Sequence, residues 1–91
     1  MSEKHHIGDY DYEICVYASA SGQYQGVILV TAKDGIPYRP VVEIQTPAFF
    51  NASKAASIEA DALANELIHT GAIAQLLPPS RQPPLGPGMS P

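Results

Sequence analysis

The sequence predicts an α+β fold in which a small three-stranded antiparallel β-meander is followed by one α-helix packed on one face (βββα), with a disordered Pro-rich C-terminal tail. Residues 9–47 hold three β-like stretches separated by turn residues. Residues 51–70 carry apolar residues at helical spacing. Six of the last fourteen residues are proline and cannot form a packed element. The chain therefore divides into a flexible N-terminus (1–8), a single α+β domain (9–77) and a disordered tail (78–91).

The first two strands are predicted from their side-chain patterns. In residues 9–20, tyrosine, isoleucine and valine recur at every second position, which is the period of a β-strand. Residues 23–33 have a continuously apolar centre, Val27–Val30. A continuous apolar run is typical of a middle strand whose two faces are both covered.

Turn residues separate the strands. Ser21-Gly22 and Asp34-Gly35 are small flexible pairs of the kind found in tight turns. Pro37 and Pro40 remove backbone donors, so the segment between them is predicted as a loop. The third strand is then expected over residues 40–47.

The helix is predicted from its ends and its apolar stripe. Asn51 is a favourable N-cap residue, and Gly71 follows the last apolar turn as a stop. Ile58 and Ala62 fall on a second apolar seam, away from the main stripe. The main stripe consists mostly of small or unbranched residues, Ala56, Ala60, Leu63, Ala64 and Leu67.

The charge distribution disfavours anionic partners. The chain has a net charge of −4, and residues 8–77 hold eight acidic residues against three cations, or −5. Binding to nucleic acids draws on cations that neutralise phosphates, and anionic membranes require the same. We therefore expect neither direct contact with nucleic acid nor attachment to a membrane.

The compartment is predicted from the N-terminus and the cysteine content. The N-terminal residues lack the apolar run of a secretory signal, and no segment approaches the ~20 apolar residues of a membrane span. Cys15 is the single cysteine, so an internal disulfide is impossible, and a free thiol suits a reducing compartment. These features predict a cytoplasmic protein with Cys15 as a structural strand residue.

Ionisable side chains near the N-terminus offer one interpretation as a metal site. His5, His6, Asp9 and Asp11 are of the types that bind divalent metals. Adjacent histidines in an extended segment diverge, however, and a solvated terminus is the simpler interpretation. None of the common catalytic or nucleotide-binding motifs occurs in the chain. The sequence therefore predicts a protein that is not an enzyme and needs no cofactor.

The apolar residues exceed what one helix can cover. Tyr17 and Leu29 are candidates for an interface on the second face of the sheet, and Ile58 and Ala62 for one on the helix. Contiguous exposed apolar patches on a small domain usually mark contacts, so we expect a homodimer. The competing cover for the sheet is the apolar segment after the helix, Ile73, Leu76 and Leu77.

The tail contains a possible ligand motif. Arg81, Pro84 and Pro87 place a cation before two prolines spaced three residues apart. Aromatic grooves of the SH3 type accept such segments as polyproline II helices. In a segment so rich in proline this spacing also arises by chance, and a passive tail is the simpler interpretation.

The predicted order of strand, strand, strand and helix resembles the core of HicB-type antitoxins and of many unrelated small domains. The resemblance is one of architecture, implies no role for any residue, and does not define a function. The sequence predicts a small acidic, non-catalytic binding or regulatory domain that acts through protein–protein contacts. The alternatives are a HicB-antitoxin-like or other nucleic-acid-associated regulator working within a complex, and a small metal-dependent enzyme.

Overall fold

A computed structural model describes residues 3–78 and confirms an α+β fold with an antiparallel sheet and one α-helix. The sheet has four strands in the order β1-β2-β3-β4, so the prediction of three strands was wrong. After the sheet come the helix α1 and a short 3-10 helix, η1. The elements are β1 (Glu3–Ile7), β2 (Tyr10–Ala18), β3 (Tyr24–Lys33), β4 (Ile36–Phe50), α1 (Ser53–Thr70) and η1 (Ala72–Gln75).

The additional strand, β1, lies in the segment that was predicted to be a flexible N-terminus. It pairs antiparallel with β2, from Glu3 opposite Ile14 to Ile7 opposite Tyr10. Gly8 has a φ of 59°, which lets a two-residue turn join the strands. The sequence hides this strand because Ile7 is its one aliphatic residue, so the alternation is almost entirely polar.

The fourth strand, β4, begins earlier than predicted and includes Pro37 and Pro40, which we had assigned to a loop. An edge strand can contain proline because the missing donor would point away from the sheet. The β4 strand pairs with β3 on one side and has no strand on its other side within residues 3–78. Asp34 and Gly35 form the preceding turn with φ values of 55° and 77°, as the sequence predicted.

The helix ends where the sequence predicts but begins one residue later. Gly71 closes α1 in the left-handed conformation, with φ at 82°. The N-cap is Ala52 and has no side-chain hydrogen bond, so the assignment of Asn51 as the N-cap was wrong. Asn51 instead accepts a hydrogen bond of 3.5 Å from the Gln23 side chain, which directs its oxygen toward the sheet.

The core lies between α1 and one face of the sheet. The predicted helix stripe is confirmed, with Ala56, Ala60 and Ala64 fully buried and two leucines partly buried beside them. The bulky part of the core comes from the sheet and from η1. Its buried members outside α1 are Tyr12, Ile14, Ile28, Val30 and Ile73.

At Gly26 the helix α1 leaves no room for a side chain on the sheet. A Cβ atom added to this glycine would lie 2.4 Å from the Ala56 carbonyl oxygen and 2.8 Å from the Ala60 Cβ. Both distances are shorter than real Cβ atoms tolerate. Backbone and alanine therefore meet directly at this point of the sheet, and the residue must be glycine.

Replacing Gly26 with alanine is expected to destabilise the protein strongly. The added methyl meets a helix carbonyl that cannot rotate away, and overpacking of this kind costs about 1–3 kcal/mol or more. Gly8→Ala is the matched control, because a Cβ there meets nothing within 4 Å and only the positive φ is penalised. Denaturant unfolding should show a larger loss for Gly26→Ala, and equal losses would contradict the close contact.

Candidate functional site

The face of the sheet opposite α1, which we call the open face, has no covering element within residues 3–78. Ile28 and Val30 face the helix, so the alternating Val27 and Leu29 face the other way. Residues that lie directly opposite each other on paired strands share a face, so the register also assigns residues of β2 and β4 to the open face. The apolar members of the open face are Cys15, Tyr17, Val27, Leu29, Val41 and Phe49.

Exposure on the open face is concentrated in three large side chains. Tyr17 and Val41 are each 45% exposed and Phe49 is 49% exposed. Tyr17, Gln25 and Phe49 form one row across β2, β3 and β4, because each is directly opposite the next. Val27, one row further along, is fully buried.

The four predicted interface residues lie on two separate surfaces. Tyr17 belongs to the open face, as does Leu29, which is partly buried. Ile58 is 60% exposed on the helix, and Ala62 is exposed one turn later. The sequence prediction did not include Val41 and Phe49. Phe49 lies near the end of β4, and only the continuation of that strand to Phe50 puts it on the sheet.

The segment after the helix does not cover the open face. Ile73 is 1% exposed and Leu77 is partly buried, and both pack into the core on the helix side. Leu76 remains 50% exposed. The competing explanation from the sequence, in which these residues fold across the second sheet face, is therefore wrong.

A cluster of polar side chains joins β1 and β2 to the middle of the helix. The Tyr12 hydroxyl donates to Asp61 Oδ1 at 3.2 Å. Asn65 Nδ2 donates to the Asp61 backbone oxygen at 2.8 Å and lies 3.4 Å from the same carboxylate. The His5 ring stacks on the Tyr12 ring at a centroid distance of 5.0 Å. This cluster connects the two layers of the fold.

The side chains of this cluster form a structural contact between the helix and the sheet. Burial, together with the negative charge of Asp61 and its hydrogen bond, raises the pKa of Tyr12 to about 12. At neutral pH the phenol is protonated and serves as a donor. Asp61 is correspondingly engaged as an acceptor from two side chains.

The N-terminal histidines and aspartates do not converge. His5 is paired with Tyr12 on the helix side, whereas His6 Nδ1 contacts Asp11 Oδ1 on the open face. Neighbouring residues in a strand point to opposite faces, which explains the separation. Nowhere in residues 3–78 do three histidine, cysteine, aspartate or glutamate side chains form a group able to hold a metal ion.

A groove of about 640 Å³ runs between the first half of α1 and the end of β2. Its floor is apolar and consists of Ile14, Val16 and Ala18 from β2 with Tyr24 from β3. Its wall is the helix from Ser53 to Asp61, with both polar and apolar side chains. The groove thus has the form of a cleft between a strand and a helix.

The described part of the chain contains no helix long and apolar enough to cross a bilayer. The proposed tail motif, Arg81, Pro84 and Pro87, lies outside the described residues, as does the rest of the predicted tail from residue 79 onward.

Comparisons with known proteins identify no relative. No family model matches the chain, and no curated protein or solved structure matches it significantly.

Replacing Tyr12 with phenylalanine should lower stability and flatten its dependence on alkaline pH. Loss of the hydrogen bond to a carboxylate is expected to cost about 1–3 kcal/mol at neutral pH. Because the pKa of Tyr12 in the folded state is raised above 10.0, its stabilising effect is fully present below pH 10 and is lost as the pH rises toward 12. Unfolding free energies measured across this range should fall more steeply for the wild type than for Tyr12→Phe. Parallel pH profiles would show that the phenol is not held as described.

Proposed function

We propose that the chain is a small acidic, non-catalytic binding or regulatory domain of the cytoplasm that acts through protein–protein contacts, and that it forms a homodimer through its open face. The main support for this proposal is that the helices cover only one face of the sheet. Both α1 and η1 pack on the same side of the sheet. Three large apolar side chains consequently remain about half exposed on the other side.

The open face is a better candidate interface than the helix seam. Ile58 is one large exposed side chain beside Ala62, and single exposed hydrophobic residues are ordinary on protein surfaces. The open face combines Tyr17 and Phe49 in one row, and Leu29 lies two rows further along β3. Aromatic residues surrounded by amide and acidic side chains are typical of interfaces, which have an apolar centre and a polar rim.

A symmetric dimer would stack the two open faces as the layers of a sandwich, with the helices outside. Two sheets packed in this way lie ~10 Å apart. Glu13 and Glu43 flank Leu29 on adjacent strands. These carboxylates lie between the Tyr17–Phe49 row and Val41, so in a two-fold arrangement they would have to keep hydrogen bonds to water or to protein groups, because burying a charge without them is costly.

The expected dimer is weak. Completing the burial of a half-exposed large side chain yields roughly 1–1.5 kcal/mol, so three on each partner yield roughly 6–9 kcal/mol. Association itself costs about 4–15 kcal/mol in lost freedom of motion. With the largest gain and the lowest cost, about 5 kcal/mol remains, which corresponds to a Kd of a few hundred micromolar. Association therefore also needs contributions from partly buried neighbours and hydrogen bonds.

The positions of the cations give the alternative functions no specific support. Lys4, Lys33, Arg39 and Lys54 lie on β1, β3, β4 and α1. A regulator that contacts nucleic acid requires cations gathered on one face. We therefore propose no nucleic-acid contact by this domain alone.

Sedimentation velocity of the full chain tests the dimer. The mean mass should rise toward twice that of the monomer between about 10 µM and about 500 µM. Phe49→Asp should remain monomeric across this range, because it places an unpaired carboxylate at the interface. Both proteins should have the same circular dichroism, since Phe49 is half exposed in the monomer.

Ile58→Asp is the matched control for this experiment, because it makes the same kind of change on the helix seam. Its mass profile should follow that of the wild type. A wild type that stays monomeric throughout would overturn the dimer, and loss of association in Ile58→Asp alone would move the interface to the helix.

A further inference from the structure

The outer edge of β2 is covered by β1 along part of its length. The β1 strand begins opposite Ile14, and the register places its remaining residues opposite Tyr10 to Glu13. Among the described residues, Cys15 to Ala18 pair with β3 alone. Their outward backbone donors and acceptors therefore have no strand partner within residues 3–78.

This stretch differs from the other two edges of the sheet. The β4 edge contains Pro37, Pro40 and Pro47, and the β1 edge is short and contains Lys4 and His6. Prolines, lysines and short length are the usual means of preventing a further strand from pairing with an edge. The stretch of β2 from Cys15 to Ala18 contains neither proline nor charge.

The groove beside α1 lies directly next to this unprotected edge. Val16 and Ala18, on the helix-facing side of β2, form part of its floor. A strand added beside them would direct every second side chain into the groove and the others toward Tyr17. Backbone groups for pairing and an apolar cleft for alternate side chains are the two components of peptide recognition by strand addition.

The charged side chains that line the groove indicate what charge a ligand should have. Lys54 and Asp61 both line the groove, and seven residues of helix separate them by about 10 Å. Asp61 is already an acceptor for Tyr12 and Asn65, whereas Lys54 is exposed. The groove is therefore best matched by an extended segment with small apolar residues at alternate positions and an acidic residue that reaches Lys54.

We propose that the cleft between β2 and α1 binds an extended peptide segment of a partner protein, which pairs with the Cys15–Ala18 edge and places alternate apolar side chains in the groove. The groove lies on the helix side of β2, whereas Phe49 lies on the open face, so the two proposed contacts overlap only at the open-face side chains of the edge, Cys15 and Tyr17. Binding of the peptide therefore does not require self-association.

The test uses a blocked synthetic peptide of alternating valine and threonine, with lysines at its start for solubility and a glutamate at its end. Amide spectra of the labelled full chain should show saturable shifts centred on Cys15 to Ala18 and on Ile58. Two control peptides are methylated on the backbone nitrogens of the valines or of the threonines. One of them must lose binding, because one set of N–H groups faces β2.

Ala18→Arg should weaken peptide binding by about tenfold or more, because a long charged side chain then lies over the groove. Ala18 is exposed, so the change does not enter the core. Ala74→Arg, the same substitution at an exposed position in η1, should bind the peptide as the wild type does.

Four results would overturn the proposal. The first is absence of saturable shifts, and the second is equal binding by both methylated peptides. The third is shifts at Val16 and Ala18 that follow protein concentration without peptide in the Phe49→Asp variant, which would show that a second copy occupies the edge. The fourth is binding that begins only after residues 1 and 2 are deleted, which would assign the edge to the chain's own N-terminal residues.

Discussion

The direct contact between α1 and β3 at Gly26 is the constraint on which the rest of the structure depends. With a Cβ excluded by the Ala56 carbonyl 2.4 Å away, helix and sheet meet at backbone distance. Two of the three fully buried helix alanines, Ala56 and Ala60, meet the sheet at this glycine. Such a helix lies flat on one face of the sheet, and bulkier residues such as Tyr12 and Ile73 complete the core on that side. The architecture is therefore one-sided, which leaves the open face available for contact and forms a cleft along the helix.

Elements with strong local signals could be predicted from the sequence, and elements defined by their neighbours could not. The helix was predicted because its stripe and Gly71 are local features, and the Asp34-Gly35 turn because it needs left-handed backbone. The β1 strand was missed because pairing with β2 holds it in the sheet, and its own residues show no apolar alternation. Pro37 and Pro40 indicated a loop because a single sequence does not show that β4 is the last strand of the sheet.

The candidate surfaces could be predicted in part for the same reason. Strand alternation made Tyr17 a candidate interface residue and helical spacing made Ile58 another, and both are exposed. Phe49 was missed because its face depends on the length of β4 and on register shifts between β3 and β4. The groove was beyond prediction, since it arises where α1 crosses the end of β2. The groove depends on packing between elements that are distant in the chain, and a single sequence does not show that packing.

Isotope-filtered NMR on an equimolar mixture of labelled and unlabelled chains tests most directly whether a second copy covers the open face. For a homodimer through the open face, we expect intermolecular contacts that link the rings of Tyr17 and Phe49 to the methyl groups of Leu29 and Val41 in the other copy. The mixture should be studied at the highest concentration at which the protein remains in solution, because the expected association is weak. Absence of intermolecular contacts from these side chains, or contacts from Ile58 in their place, would contradict a dimer through the open face.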